Sequence, residues 1–146
     1  MSPAENKEED LESLFGDNID MITFEQILEM DEPDDHEFSS SIVFGFFDQA
    51  EETFDKIEQS LDEGDLPTLS SLGHFLKGSS ATLGLAKVRD GCEKIQRYGK
   101  NENVDGSPED DDAVCLKRIR EAFETVKKDY TEVEKALRKY YKNLEG

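Results

Sequence analysis

An imidazole, a lysine three residues on and a glycine four residues on form the best candidate for chemistry in this chain: His74-Phe75-Leu76-Lys77-Gly78-Ser79-Ser80. An imidazole ring is largely neutral near pH 7, so a ring nitrogen can attack an electrophile and later depart as a leaving group. A lysine ammonium supplies a mobile point charge for an anion. If the segment is helical, Leu69, Leu72, Ser80 and Leu83 fall within about 40° of Leu76, at roughly 100° per residue. That face is the one to be buried. His74 then lies at about 160° and Gly78 beside it at about 200°, both pointing outward. Ser71, Pro67 and Ala81 share the outer face. A glycine inside an exposed helix costs about 1 kcal/mol against alanine. A bare approach to the imidazole would offset that cost.

Other residues are weighed against plainer roles. Lys77 falls at about 100°, on the border of the exposed face, where it serves an anion or is simply solvated. Gln96 follows the core position Ile95, so it either flanks His74 across a helix pair or is a polar boundary residue. Lys100 at a helix end either assists electrostatically or only complements the helix dipole. Ser79 either helps position Lys77 or the backbone, or packs as a small residue. His36 sits in an acidic loop without apolar or glycine context and reads as incidental. The loop Asp31-Glu32-Pro33-Asp34-Asp35 lacks the glycine and closing glutamate of a calcium-binding loop and reads as solvated. Cys92 and Cys115 are far apart, lie on apolar stripes and read as buried free thiols, which fits a reducing compartment. No metal site is expected.

The positions of these residues depend on the elements around them. The 146 residues suit one domain, 19–146, behind an acidic flexible tail, 1–18. Thr23-Phe24-Glu25-Gln26 reads as a capping box opening a short helix that ends near Met30. Phe38, Ile42, Phe46, Ala50, Phe54, Ile57 and Leu61 mark a helix over about 38–62. Gly64 and Asp65 end it and start the histidine helix, 66 to about 85, with Pro67 in its first turn and Gly84 at its end. Val88, Cys92, Ile95 and Gly99 place the next helix over 87–100. Ser107-Pro108-Glu109-Asp110 reads as the start of the last and longest helix. Its stripe runs through Leu116, Ile119, Phe123, Val126, Tyr130, Val133, Leu137, Tyr140 and Leu144, and one end should overhang the bundle or bend. The expected fold is all-α: an antiparallel four-helix bundle with a short additional N-terminal helix and a long C-terminal helix.

Net charge is −19, unevenly spread. Residues 1–73 hold 22 of the 36 acidic residues and only Lys7 and Lys56. Residues 74–100 hold six Lys/Arg against Asp90 and Glu93. A local basic patch on an acidic chain suits a phosphoryl group. It argues against general nucleic-acid binding and against anionic membranes. No P-loop, kinase-type glycine loop or nucleophile triad is visible.

His74-x-Leu76-Lys77-Gly78-Ser79-Ser80-x-x-Leu83-Gly84 and Cys92-Glu93-x-Ile95-Gln96-x-x-Gly99-Lys100 resemble histidine-containing phosphotransfer (HPt) domains. Phe47-Asp48-Gln49-Ala50 and Leu72-Gly73 resemble the fungal Ypd1-type phosphorelay intermediates within that family. The resemblance implies a phosphoryl carrier. His74, attacking through Nε2, would take phosphate from the receiver aspartate of a hybrid sensor histidine kinase and pass it to a response regulator. Lys77, Gln96 and Lys100 would assist, Gly78 would give access and Ser79 would support. Receiver domains would dock on a surface including Ile27, Met30 and Ser71, with Phe24 and Leu28 sealing the bundle. The resemblance further implies no cofactor on this chain, Mg²⁺ on the receiver, a stress-signalling role, a monomer, and a cytoplasmic and nuclear location. The alternatives are a non-phosphorylated helical adaptor and an oligomer built through the long C-terminal stripe.

Overall fold

A computed structural model describes residues 19–33 and 35–145, with side chains through Lys142. The tail assigned to 1–18 and the side chain of Leu144 lie outside the described residues. Five helices and no strand occur among the described residues: α1 (Met21–Leu28), α2 (Glu37–Glu63), α3 (Leu66–Thr82), α4 (Ala86–Gly99) and α5 (Asp112–Glu145). Helices α2 to α5 form the antiparallel bundle. α3 packs between α2 and α4, and α5 closes the ring against α2 and α4.

The α2–α3 corner follows the expected chemistry. Gly64 takes a left-handed conformation at φ 69°, which glycine adopts without a Cβ clash. Asp65 then caps α3, its carboxylate accepting from the Thr68 amide at 3.2 Å and the Thr68 hydroxyl at 2.5 Å. At the α3–α4 corner Gly84 has φ 77°. Its carbonyl accepts from the Asp20 amide at 2.6 Å, tying the start of α1 to the end of α3.

Two helix starts differ from expectation. Asp20, not Thr23, caps α1: its carboxylate accepts from the Ile22 amide at 3.1 Å and from the Thr23 hydroxyl at 3.1 Å. A carboxylate just outside the helix is as good a cap as a hydroxyl and engages both groups. Helix α5 begins at Asp112, not at Ser107-Pro108. Ser107 donates its amide to Asp105 at 2.9 Å and its hydroxyl at 2.6 Å, and the hydroxyl oxygen accepts from the Asn103 side-chain amide at 3.1 Å, so the serine is engaged within the turn and not as a cap. Asp111 caps α5 instead, accepting from the Ala113 amide at 2.9 Å.

Helices α3 and α4 approach closely because glycines line their seam. A Cβ on Gly73 would lie 2.9 Å from the Cys92 carbonyl oxygen and the Gln96 nitrogen. One on Gly99 would lie 2.7 Å from the Ser70 nitrogen. The Ser70 hydroxyl donates to the Gln96 carbonyl at 2.9 Å across the same seam. The register of α4 against the histidine helix is set there.

The 34-residue α5 is the longest helix. Its buried stripe is Cys115, Ile119, Phe123, Val126, Tyr130, Val133, Leu137 and Tyr141. Tyr141, rather than Tyr140, closes the stripe. Its far end is covered by α1, Phe24 meeting Tyr140 edge-on at 6.1 Å. The Tyr141 hydroxyl donates to Ser39 at 2.8 Å, and Ser39 donates to Asp31 at 2.5 Å. The acidic loop is therefore not wholly solvated: the Asp31 side chain is 4% exposed. His36 joins this cluster, its Nδ1 3.5 Å from the Asp31 carboxylate, instead of hanging free in the loop. Cys92 and Cys115 are free and buried.

Candidate functional site

Helix α3 presents His74 to solvent, and Gly78 one turn later is equally exposed. A Cβ built on Gly78 would meet nothing within 4 Å. The seam glycines exist to avoid a clash, whereas no neighbour in the fold requires a glycine at 78. Among the described residues no hydrogen bond or ion pair holds the His74 ring.

Lys77, Gln96 and Lys100 come together. With Glu93, Arg97 and Glu102 they line a shallow depression between α3 and α4. Lys77 and Gln96 are half-buried, and Lys100, the residue after α4, is exposed. The depression starts one helical turn from His74, through Lys77. It brings cationic and amide donors together with the carboxylates of Glu93 and Glu102. Arg97 was not singled out from sequence. It follows Gln96 on α4, and an ion pair to Glu93 at 3.8 Å holds it over the depression. Its place one residue beyond Gln96 and three before Lys100 was the available signal.

Two expected roles need correction. Ser79 does not reach Lys77. It lies on the opposite flank of α3, in a groove shared with α2. Residues two apart on a helix do not face each other. Ile27, expected on the docking surface, is 9% exposed and lies in the core with Phe24. Phe24 is fully buried and Leu28 partly so, as expected. Met30 and Ser71 are exposed, Met30 by 68%. Phe38, expected on the apolar stripe of α2, is 45% exposed instead, and Phe75 and Ile22, to which sequence gives no role, are 49% and 73% exposed. Phe75 was legible in principle, since it falls about 100° from Leu76, off the inner face. Helix α1 begins against Gly84, about 15 Å along α3 from His74 at 1.5 Å per residue.

This arrangement of helices, with an exposed histidine and an open glycine one turn beyond it, is that of a phosphotransfer module. The Hpt domain family model matches residues 42–137, and the chain belongs to that family. It is 45% identical over 124 residues to multistep phosphorelay regulator 1 of Schizosaccharomyces pombe, covering 84% of this chain and 42% of that protein. It is 51% identical over 87 residues to the phosphorelay intermediate protein YPD1 of Candida albicans, covering 60% and 47%. The chain thus spans about half the length of the curated relatives it matches. Among solved structures, Saccharomyces cerevisiae Ypd1 crystallised with the receiver domain of its downstream response regulator Ssk1 superposes with a TM-score of 0.75 at 31% identity, covering 86% of this chain and 95% of that one. No helix among the described residues is long and apolar enough to cross a membrane.

Proposed function

We propose that this chain is a stoichiometric phosphoryl carrier of a multistep phosphorelay. A ring nitrogen of His74 attacks the phosphorus of an aspartyl phosphate on a receiver domain. The P–O bond to the aspartyl carbonyl breaks, the carboxylate leaves, and the phosphoryl group rests on the imidazole. The reverse displacement by the aspartate of a response regulator removes it. The observation that carries this reading is the exposed His74 beside the empty space over Gly78. Phosphoryl transfer requires in-line access more than a large catalytic apparatus on the carrier. The donors around Lys77, Gln96 and Lys100 favour the charge on the transferring oxygens.

The chain acts without nucleotide-dependent activity of its own, and the Mg²⁺ of the transfer belongs to the receiver. It works as a monomer, because the α5 stripe that could have built an oligomer is spent inside the bundle. A cytoplasmic and nuclear role in stress signalling completes the proposal, by likeness to the fungal relatives. The test is incubation with a phosphorylated receiver domain. Acid-labile, base-stable phosphate is expected on the native chain and none on His74→Gln, whose circular dichroism should match the native. Equal labelling of both proteins, or of neither with a competent donor, contradicts the proposal.

A further inference from the structure

Residues 135–142 of α5 hold four basic residues and no acidic one: Lys135, Arg138, Lys139 and Lys142. At roughly 100° per residue these four fall within about 100° of one another. They occupy the face opposite the buried Val133, Leu137 and Tyr141, and all four are exposed. Arg138 has partners: it pairs with Glu134 at 3.0 Å and lies 4.8 Å from the centre of the Phe47 ring. Among the described residues no hydrogen bond or ion pair holds Lys135, Lys139 or Lys142. Like charges three and four residues apart on a helix repel and weaken it. The helix dipole acts over the last turn, so it accounts for Lys142 and not for Lys135 or Lys139.

Carboxylates to match this stripe occur in the same chain. Residues 8–12 read Glu8-Glu9-Asp10-Leu11-Glu12, and residues 1–18 hold six acids against Lys7. That segment joins the fold at Ile19, which is buried. The Asp20 amide then bonds to Gly84 just beyond α3, and Phe24 meets Tyr140 near the end of α5. In the antiparallel bundle α3 and α5 finish at the same end, so Ile19 and the basic stripe share that end. Asp10 precedes Ile19 by nine residues. Extended chain of that length reaches about 30 Å. A helix with its side chains is about 10–12 Å across, so the segment can pass around α5 to its outer face. The cations beside His74 are a poorer match, because Glu93 and Glu102 already share their depression.

We infer that the acidic segment 8–12 docks on the face of α5 formed by Lys135, Lys139 and Lys142 and shields it. The contact is intramolecular, and a short tether gives an effective concentration on the order of millimolar. Ion pairs that are individually weak at a surface then suffice to hold the segment, and salt releases it. Docked, the segment keeps the stripe from nucleic acid and anionic lipid, the polyanions that a basic helix face attracts. The inference concerns a different face from His74 and does not depend on the carrier reading.

The experiment uses the full chain carrying a spin label at Ser13→Cys; Cys92 and Cys115 are buried, so the label goes to the introduced thiol. At about 0.01 M salt, where the screening length is about 30 Å, the amide NMR signals of residues 135–142 are expected to broaden. At about 1 M salt, with a screening length of about 3 Å, that broadening should be lost. Reversing the stripe with Lys135→Glu, Lys139→Glu and Lys142→Glu should abolish it at low salt. Adding Glu8→Lys, Glu9→Lys, Asp10→Lys and Glu12→Lys to the reversed stripe should restore it, which a merely misfolded variant would not do. The inference is overturned by broadening centred on another face, by broadening that survives high salt, by none at low salt, or by swapped charges that restore nothing. It is equally overturned if an isotope-enriched chain without the label broadens as much when mixed with the labelled one, since the occupant is then a second copy.

Discussion

At His74 the exposure of the ring and the emptiness over Gly78 are separable, and substitution can test each alone. Gly78→Gln leaves the nucleophile in place and fills its approach. We expect that variant to gain up to about 1 kcal/mol in thermal unfolding, because an exposed helical glycine is replaced. Phosphoryl transfer from a receiver should slow at the same time. A variant that is less stable, or one that transfers at the native rate, contradicts the access argument. The outward direction of both residues was legible because 3.6-residue geometry fixes the faces of a single helix. The errors arose where a second helix decides. Ser79 lies toward α2 and Lys77 toward α4, and nothing local to α3 says which neighbour stands on which side. Ile27 follows the same rule: which apolar residues of the short α1 are covered is set by the bundle end it lies on, which buries Phe24 and Ile27 and leaves Ile22 exposed.

Between elements, the α3–α4 seam places Gln96 and Lys100 in one depression with Lys77, one turn from the histidine. Gly73→Ala would push a methyl into the Cys92 carbonyl and Gln96 nitrogen, both backbone atoms that cannot swing aside. Urea unfolding should show a loss of about 1–3 kcal/mol, the usual cost of overpacking. Gly78→Ala, by the same measurement, should gain. Equal effects at the two positions would contradict the distinction between seam and access glycines. Helix centres were legible from apolar spacing, and ends less so. Ser107-Pro108 has the composition of a helix start, but Asp105 binds the serine first, and that competition depends on the loop's path. In α5 a strict alternation of three and four residues led to Tyr140. A straight helix drifts about 20° per heptad against such a repeat, which favours Tyr141 by the far end.

Over the whole molecule, acidic residues dominate one half of the sequence and a basic cluster surrounds the site. The core carries a pH signature of its own. Burial pushes the Cys92 thiol up to about 12 from an ordinary 9.0, and burial also raises the Tyr130 and Tyr141 phenols. The folded state favours the protonated form of each, so their contribution is complete below the unfolded values and is lost as pH rises above them. The urea midpoint should fall progressively from about pH 9 toward pH 12. A midpoint that is flat or rising over that range contradicts this burial. The bundle itself was legible from sequence because each long helix carries one continuous stripe, and four such stripes have one economical way to be buried. The central claim concerns phosphorus in transit, and a two-step relay measures it most directly. A receiver bearing labelled aspartyl phosphate is mixed with this chain, freed of donor, and the chain is then given a second, unlabelled receiver without nucleotide. The account predicts label first on His74 and then on the second aspartate, with one phosphate at most per chain. Label that passes from the first receiver only to water, or that stays on a residue other than His74, contradicts it.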